Sequence, residues 1–387
     1  MTRIYTGDGV TAGLRVLILG AGHYPYAQAS KPRVPKLEDI TSAARSAVDF
    51  ANHVLSDWQQ TFCAPLLSVD LLVNDVDHPG GMPFTLPDGS PIAVDAPTIA
   101  NIRSARTSWL DQATQDDTLI FYCCGHGIWL PSVSRTFLAS DFGVDDESVW
   151  PNAVSLTDMT LGLGDKKPRQ QWLMFDCCAN TPPEGLRNAR PAAEPLVSAV
   201  EGVRKTMTDA YGPLAQSTIS ASTEGESAYG KPDGRSRFMD VFIDACSGAG
   251  FIRQGDDGLW SLTLQGLEDA MTSYCWRVAA PQDRDYYTFS RLTSTDAAET
   301  PRLMARATPP ECMLLVNTDP AYNLKTCTVD VMSGAARVDG QNPGPDAKVD
   351  FLCPVNAYGP YRVVATWPAE TKTRDTLAFP PLTKVRV

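Results

Sequence analysis

The sequence has no apolar run near the ~20 residues that a membrane-spanning helix needs. Its first residues, MTRIYTGDGVTAG, also lack the apolar core of a signal peptide. We therefore expect a cytoplasmic protein without a membrane partner. Basic residues are outnumbered, with 33 Lys and Arg against 45 Asp and Glu and a net charge of −12. Because sequence-independent binding to phosphates needs Lys and Arg, no nucleic-acid partner is expected.

Cysteine is present, but not in the spacings that bind zinc or build a disulfide framework. None of the 10 cysteines belongs to a CxxC motif. The adjacent pairs Cys123-Cys124 and Cys177-Cys178 are poorly suited to chelate one ion, since neighbouring strand residues point to opposite faces. The sequence therefore predicts reduced thiols, no metal and no cofactor.

The 387 residues are enough for two domains. Continuous apolar runs alternate with segments of helical periodicity up to about residue 275, which is typical of βαβ units. This pattern predicts an α/β domain with a mostly parallel sheet covered by helices on both faces. The predicted strands are 14–19, 68–73, 118–123, 135–139, 171–175 and 217–221, and the predicted helices are 37–57, 96–110, 156–163, 194–211, 236–245 and 261–274.

The pattern changes near residue 310. Short alternating stretches such as CMLLV, TCTVDVM and YRVVATW follow, separated by turn residues, and helical periodicity is absent. Residues 311–387 also carry 8 basic and 8 acidic side chains, so the whole net charge lies before them. We predict a main domain over 1–310 and a small all-β, sandwich-like domain over 311–387, which is the candidate surface for a regulatory protein partner.

Two predicted strands end in reactive side chains. TLIFYC runs into Cys124-Gly125-His126-Gly127, and QWLMF runs into Asp176-Cys177-Cys178. Ligands bind at the carboxyl ends of parallel strands in such sheets. A cysteine beside an imidazole becomes a nucleophile, and a backbone amide such as that of Gly127 can stabilise an oxyanion. The pattern therefore indicates nucleophilic catalysis at this edge.

Several stretches resemble the caspase-like cysteine peptidases, the clan of caspases, metacaspases and paracaspases, and in particular their bacterial members. They are TIANIRSARTSWLDQATQDDTLIFYCCGHG, RTFLASD, QWLMFDCC, STISASTEGESAYG and SRFMDVFIDAC. The resemblance extends over residues 14–305. It implies the caspase–hemoglobinase-like fold and a cysteine endopeptidase acting on protein or peptide substrates. It also implies a role in regulated proteolysis of the cell-death or antiphage-defence type.

The resemblance assigns roles at the two strand ends. It makes His126 the catalytic base and Cys178 the nucleophile, and it places the oxyanion amides at Gly127 and Cys178. Cys177 is the less favoured nucleophile. Asp176 is expected to form an acidic wall of the S1 pocket, which favours Arg or Lys at P1.

Further assignments concern substrate binding, and two positions depart from the family. Ser220 and Ser222 are expected to bind the substrate as an added strand. The cysteine is followed by Ala179-Asn180 instead of the usual His-Ser-Gly or Arg-Gly, and Ser46 stands where metacaspases often have a second acidic residue.

Three alternatives remain open at this level. The chain can instead be a catalytically idle caspase-like scaffold that binds partners through its C-terminal β domain. Asp141 and Asp158 lie in the region where some metacaspases bind calcium, although solvated surface carboxylates are the more common outcome. His23, after the first predicted strand, either lines the same cleft or has a structural role, and the structural role is preferred.

Overall fold

The computed structural model describes residues 2–9, 11–31, 34–130, 134–145, 147–180, 193–222, 228, 230, 234–278, 290–295, 301–318 and 322–387. The chain divides into two compact units. The first comprises Met1–Asp240 with Asp285–Pro301, and the second comprises Val241–Arg284 with Arg302–Val387. No helix within the described ranges is both long and apolar enough to cross a membrane.

The strands are β1 (Arg3–Thr6), β2 (Leu14–Ala21), β3 (Leu66–Asn74), β4 (Pro83–Thr85), β5 (Pro91–Ala93), β6 (Thr118–Gly125), β7 (Gly127–Leu130), β8 (Ser134–Leu138), β9 (Ala153–Ser155), β10 (Gln170–Cys177), β11 (Ala215–Ser220), β12 (Arg253–Gln254), β13 (Trp260–Thr263), β14 (Ser290–Thr295), β15 (Arg302–Arg306), β16 (Glu311–Asn317), β17 (Thr328–Ser333), β18 (Ala336–Gln341), β19 (Phe351–Asn356), β20 (Pro360–Thr366), β21 (Thr371–Leu377) and β22 (Leu382–Arg386). The α-helices are α1 (Thr41–Leu55), α2 (Ile99–Leu110), α3 (Leu156–Leu163), α4 (Val203–Tyr211), α5 (Arg237–Asp244) and α6 (Leu264–Val278).

The first unit is built on a seven-stranded sheet in the order β1-β3-β2-β6-β10-β11-β14. The five inner strands run parallel, while β1 and β14 pair antiparallel at the two edges. Every residue of β2 and β6 is buried, as their continuous apolar runs predict for strands covered on both faces. The predicted α/β class with a mostly parallel sheet is confirmed.

Helices cover both faces of this sheet. On one face, Trp109 of α2 and Leu163 of α3 join Phe121 of the sheet in one apolar core. On the other face, Phe50 of α1 packs on Tyr122, with ring centroids 5.0 Å apart. Burial of these large side chains supplies the main stabilisation, at about 25 cal/mol per Å² of apolar surface.

The sequence prediction was wrong in two helical segments. The predicted helix 194–211 is helical only over Val203–Tyr211, because Pro195 and a left-handed Gly202 (φ 80°) precede it. The predicted helix 261–274 begins as the strand Trp260–Thr263 and becomes helical at Leu264.

The second unit contains a β-sandwich. The sheets β19-β16-β22 and β18-β17-β20-β21 share one core, which includes Leu314, Val331 and Val363. Buried and exposed residues alternate along β19 and β20, as expected for strands with one solvated face. The predicted all-β sandwich is confirmed, and the unit also includes β12, β13, β15 and α6. The boundary at residue 310, between 1–310 and 311–387, stays a prediction.

Candidate active site

The candidate site lies at the carboxyl ends of the neighbouring strands β6 and β10. These strands pair in parallel, with Asp176 opposite Cys124 and Cys177 opposite Gly125. His126 follows β6 directly, and Cys178 follows β10 directly. Parallel pairing therefore brings the predicted base and the predicted nucleophile to the same edge of the sheet, where open α/β sheets bind their ligands.

Beyond this edge the two chains continue side by side. Ile128 forms a parallel bridge with Asn180, and the backbone N–H of Trp129 donates to the Asn180 carbonyl at 2.9 Å. A Cβ atom on Gly127 would lie 2.2 Å from the carbonyl oxygen of Cys178. Only glycine permits this close approach, so Gly127 is required for the alignment of the His126 and Cys178 segments.

His126 is held from two directions. Its Nε2 lies 2.8 Å from the carbonyl oxygen of Glu38, and its backbone N–H donates to the hydroxyl of Tyr24 at 2.8 Å. The Tyr24 and His126 rings also contact each other, with centroids 5.0 Å apart. Because a carbonyl oxygen only accepts hydrogen bonds, Nε2 carries the hydrogen in the neutral ring. Nδ1 is therefore the nitrogen that can accept a proton.

Burial lowers the pKa of His126, while the Glu38 carbonyl and the charges of Asp39 and Glu38 act in the opposite direction. Desolvation disfavours the charged imidazolium, so the neutral ring is the main form at neutral pH. A neutral imidazole with a free lone pair at Nδ1 can act as a general base.

Cys178 is partly buried, and its sulfur accepts the backbone N–H of Ala228 at 3.2 Å. Burial raises the pKa of this thiol to about 11, and the nearby Cys177 and Asp176 add to the increase. The resting thiol is therefore protonated at neutral pH, and a base must remove its proton before or during attack.

Cys177 points in the opposite direction. It is fully buried in the core beside Cys123 and Phe175. Side chains alternate along a strand, so the inward orientation of Cys177 directs its neighbours Asp176 and Cys178 away from this core. This geometry favours Cys178 as the reactive thiol.

Asp176 is enclosed rather than open to solvent, with 2% of its surface exposed. The hydroxyl of Tyr122 donates to its carboxyl group at 2.7 Å, and the hydroxyl of Ser236 makes a second, short hydrogen bond. Ser236 also exchanges hydrogen bonds with Ser46. Burial raises the pKa of Asp176 to about 6, although its hydrogen bonds lower it.

The two predicted substrate-binding serines are both buried. Ser220 pairs with Ser290 of β14, which occupies the outer edge of β11 up to this residue. Ser222 lies just beyond, where its hydroxyl donates to the Cys177 carbonyl at 3.0 Å and its carbonyl accepts Arg135 at 2.6 Å. An added substrate strand therefore has no free edge at Ser220 in this conformation. The substrate-binding role of both serines stays a prediction.

Three contributors to the site carry no signal in the amino-acid sequence. Glu38 acts through its backbone carbonyl, so no side-chain motif marks it. Tyr24 is a fully buried aromatic in a loop segment, where an ordinary core role is the default interpretation. Ser236 lies 60 positions from Asp176, and only the folded chain brings them together.

Among the described residues, no group of three or more His, Cys, Asp or Glu side chains is placed to hold a metal ion. Asp141 instead accepts the N–H of Ile99 and the amide of Asn152, and Asp158 accepts the hydroxyl of Ser155. Both carboxylates thus have structural partners. His23 pairs with Asp39 at 2.7 Å, in the loop that also supplies Glu38.

Comparisons with known proteins give limited similarity. No protein-family model matches the chain. The uncharacterized protein y4kE of Sinorhizobium fredii (strain NBRC 101917 / NGR234) is 26% identical over 214 residues, which make up 54% of this chain and 58% of that protein. The match thus spans little more than half of the relative's length. Caspase-1 from Spodoptera frugiperda is similar in structure, with a TM-score of 0.40 and 12% identity, over 78% of this chain and 94% of that chain. A likeness this weak does not assign an activity.

Proposed function

We propose that the protein is a caspase-like cysteine endopeptidase in which His126 and Cys178 form the catalytic pair. One observation carries this proposal. The chains after β6 and β10 run side by side, so that an oriented imidazole and a partly buried thiol leave the same edge of one sheet. The sequence resemblance to caspase-like peptidases supports the same two residues. The regulated, cell-death or defence-type setting is proposed from that resemblance alone.

In this mechanism Nδ1 of His126 takes the thiol proton while the sulfur of Cys178 attacks the scissile carbonyl. The S–C bond forms as the carbonyl electrons move to oxygen, where the amides of Gly127 and Cys178 are proposed to stabilise the charge. The C–N bond then breaks, and His126 returns its proton to the leaving amine. Water then attacks the thioester while His126 takes its proton. The C–S bond breaks to release the acid, and His126 returns the proton to the Cys178 sulfur.

The pKa shifts favour general-base catalysis over a preformed ion pair. The pKa of the Cys178 thiol is raised to about 11, and the pKa of His126 is lowered. Both shifts stabilise the neutral thiol and the neutral imidazole, so proton transfer accompanies attack instead of preceding it.

We further propose that the S1 pocket prefers Arg or Lys through Asp176. A carboxylate withdrawn from water favours a cationic partner, and Arg can bind it with two hydrogen bonds. Asp176 is enclosed by Tyr122 and Ser236, so substrate must displace a hydroxyl to reach it. Fluorogenic peptides that differ only at P1 test this. Preference for Arg should disappear in Asp176→Ala, and turnover of Asp or Leu peptides above Arg peptides contradicts the proposal.

The second candidate function is an idle scaffold that binds a regulatory protein through residues 311–387. One observation favours it: the Cys178 sulfur contacts Ala228, and its thiol is held in the unreactive protonated form. A peptidase needs Nδ1 of His126 to accept the thiol proton, whereas an idle scaffold does not. A measurement of peptide cleavage therefore discriminates between the two candidates.

A peptide-library cleavage profile tests the peptidase function. Wild type should cut a defined set of sequences, and Cys178→Ala should cut none of them. Cys177→Ala is the matched control, because it removes the neighbouring thiol from the core side of the strand. Equal profiles for wild type and Cys178→Ala would assign the cleavage to a contaminant and favour the scaffold.

A further inference from the structure

The segment that carries Glu38 is fastened by a side-chain cluster that the mechanism above does not use. Asp39 Oδ1 accepts His23 Nδ1 at 2.7 Å and Gln28 Nε2 at 3.1 Å. Gln28 Nε2 also donates to the backbone carbonyl of Tyr24 at 3.1 Å. We call Asp39, His23 and Gln28 the Asp39 clasp. It joins the chain just after β2 to the chain just before α1.

The clasp acts on the peptide group that contacts the candidate base. The carbonyl of Glu38 and the Cα of Asp39 belong to one planar peptide unit, so anchoring Asp39 restricts the directions that this carbonyl can take. The same carbonyl lies 2.8 Å from Nε2 of His126. Its direction decides which ring nitrogen carries the hydrogen.

Backbone hydrogen bonds anchor the segment 37–40 at its two ends, whereas side-chain hydrogen bonds anchor its centre. The N–H of Leu37 donates to Ala27 O, and the N–H of Ile40 donates to Gly22 O, each at 2.8 Å. Between them, Glu38 and Asp39 are exposed residues, and Asp39 is anchored through its carboxyl group. The clasp therefore supplies the contacts that set the peptide between these two residues.

We propose that Asp39 is a positioning residue, held by His23 and Gln28, which keeps the Glu38 carbonyl on Nε2 of His126 and so keeps Nδ1 free as the base. This inference rests on the proposed peptidase function for its purpose. Its geometry is independent of that function, because the tautomer of His126 can be measured without substrate.

The tautomer of His126 is the direct readout. The full chain is labelled with ¹⁵N-histidine, and two-bond ¹H–¹⁵N correlations identify the protonated nitrogen of each of the 4 histidines. Wild type should show the Nε2–H form at His126. Asp39→Ala should give a mixture of both tautomers, while Asp39→Asn keeps an acceptor oxygen and should retain the Nε2–H form.

Two further variants keep the test decisive. Asp57→Ala removes an equivalent partner from His53, 3.1 Å away, and should leave His126 unchanged. Gln28→Ala, at an exposed position, should shift the tautomer ratio in the same direction as Asp39→Ala even if the latter does not fold. The positioning role of Asp39 is contradicted if the His126 tautomer is unchanged in Asp39→Ala, or if Asp39→Asn changes the tautomer ratio as much as Asp39→Ala does.

Kinetics separate this inference from the proposed function. In an active peptidase, Asp39→Ala should lower kcat about tenfold with little change in KM, and Asp39→Asn should recover most of the loss. If wild type shows no proteolysis but Asp39→Ala changes the His126 tautomer as expected, the peptidase proposal is contradicted and the positioning role of Asp39 is supported. Normal proteolysis with an unchanged tautomer in Asp39→Ala contradicts the clasp alone.

Discussion

The two halves of the candidate site differ in how the protein holds them. His126 is fixed by the Glu38 carbonyl at its ring and by the Tyr24 hydroxyl at its backbone. Cys178 is partly buried, and the hydrogen-bond donor to its sulfur is the backbone of Ala228. The proposed base is thus preorganised, whereas the proposed nucleophile is a protonated thiol in contact with Ala228. In the proposed mechanism, this contrast places the activation step on the cysteine side.

The largest expected effect is the loss of peptidase activity when either His126 or Cys178 is replaced. His126→Ala and Cys178→Ala should each lower kcat/KM by about 1,000-fold or more, because removal of either member abolishes the activated nucleophile. Peptide hydrolysis, followed with far-UV circular dichroism as a folding control, checks this. Retention of substantial activity in Cys178→Ala, together with loss of activity in Cys177→Ala, would move the nucleophile to Cys177.

A second prediction concerns the buried carboxyl group beneath the cysteine. The pKa of Asp176 is raised to about 6 in the folded chain, against about 3.9 in an unfolded one. The folded state then binds more protons between these values, so this group's contribution to stability is lost as pH rises through about 4 to 6. We expect a loss of about 3 kcal/mol relative to Asp176→Asn over that window.

Urea unfolding of both proteins at a series of pH values measures this difference. Asp57→Asn serves as the control, because the side chain of Asp57 is 71% exposed. A pH-independent difference between wild type and Asp176→Asn would mean that Asp176 keeps an ordinary pKa.

The third prediction tests the protonated state of the nucleophile. A thiol whose pKa is about 11 contains about 100-fold less thiolate at pH 8 than one with a pKa near 9. Iodoacetamide should therefore label Cys178 slowly without substrate, and the rate should keep rising up to about pH 10, because the thiolate fraction grows tenfold per pH unit below the pKa. N-acetylcysteine is the reference thiol. A rate that levels off near neutral pH would show a preformed thiolate–imidazolium pair.

A fourth, smaller effect on stability is expected at Tyr24, which contacts His126. Tyr24→Phe removes the acceptor of the His126 backbone N–H and should cost about 1–3 kcal/mol of stability, the usual penalty for a buried polar group left without a partner. Thermal unfolding measures the loss. Tyr5→Phe is the control, since the hydroxyl of Tyr5 accepts the side-chain amide of Gln59 in a partly buried hydrogen bond. Equal stability in both variants would leave Tyr24 with a packing role.

The smallest effect is expected at the neighbouring thiol. Cys177→Ala should keep kcat/KM within about threefold of wild type, because its side chain faces the core. It should lower stability by about 1 kcal/mol, as loss of a small buried group does. Progress curves beside urea unfolding measure both quantities. A large loss of activity without a loss of stability would place Cys177 in the chemistry.

The sequence was sufficient for the parts that depend on local patterns. Continuous apolar runs identified β2, β6 and β10, and parallel pairing then placed His126 and Cys178 at one edge. Strand alternation also separated Cys177 from Cys178. These inferences need only two rules. Side chains alternate between the two faces along a strand, and the connections between parallel strands are right-handed.

The remaining features depend on long-range contacts that no local pattern encodes. The Glu38 carbonyl has no side-chain signature, and Tyr24 meets His126 across 102 positions of sequence. The enclosure of Asp176 by Tyr122 and Ser236 likewise depends on residues distant in sequence, while its role as an acidic wall of the S1 pocket stays a prediction. The helix predicted over 194–211 is a different case, because Pro195 and the left-handed Gly202 limit it locally to Val203–Tyr211.

The central claim, that His126 activates Cys178, is tested most directly with a peptidyl electrophile that ends in Arg and carries an acyloxymethyl ketone. Intact mass and peptide mapping should find one adduct, on Cys178, and its rate of formation should fall about 100-fold or more in His126→Ala. An adduct on Cys177, or an unchanged rate in His126→Ala, would contradict the claim.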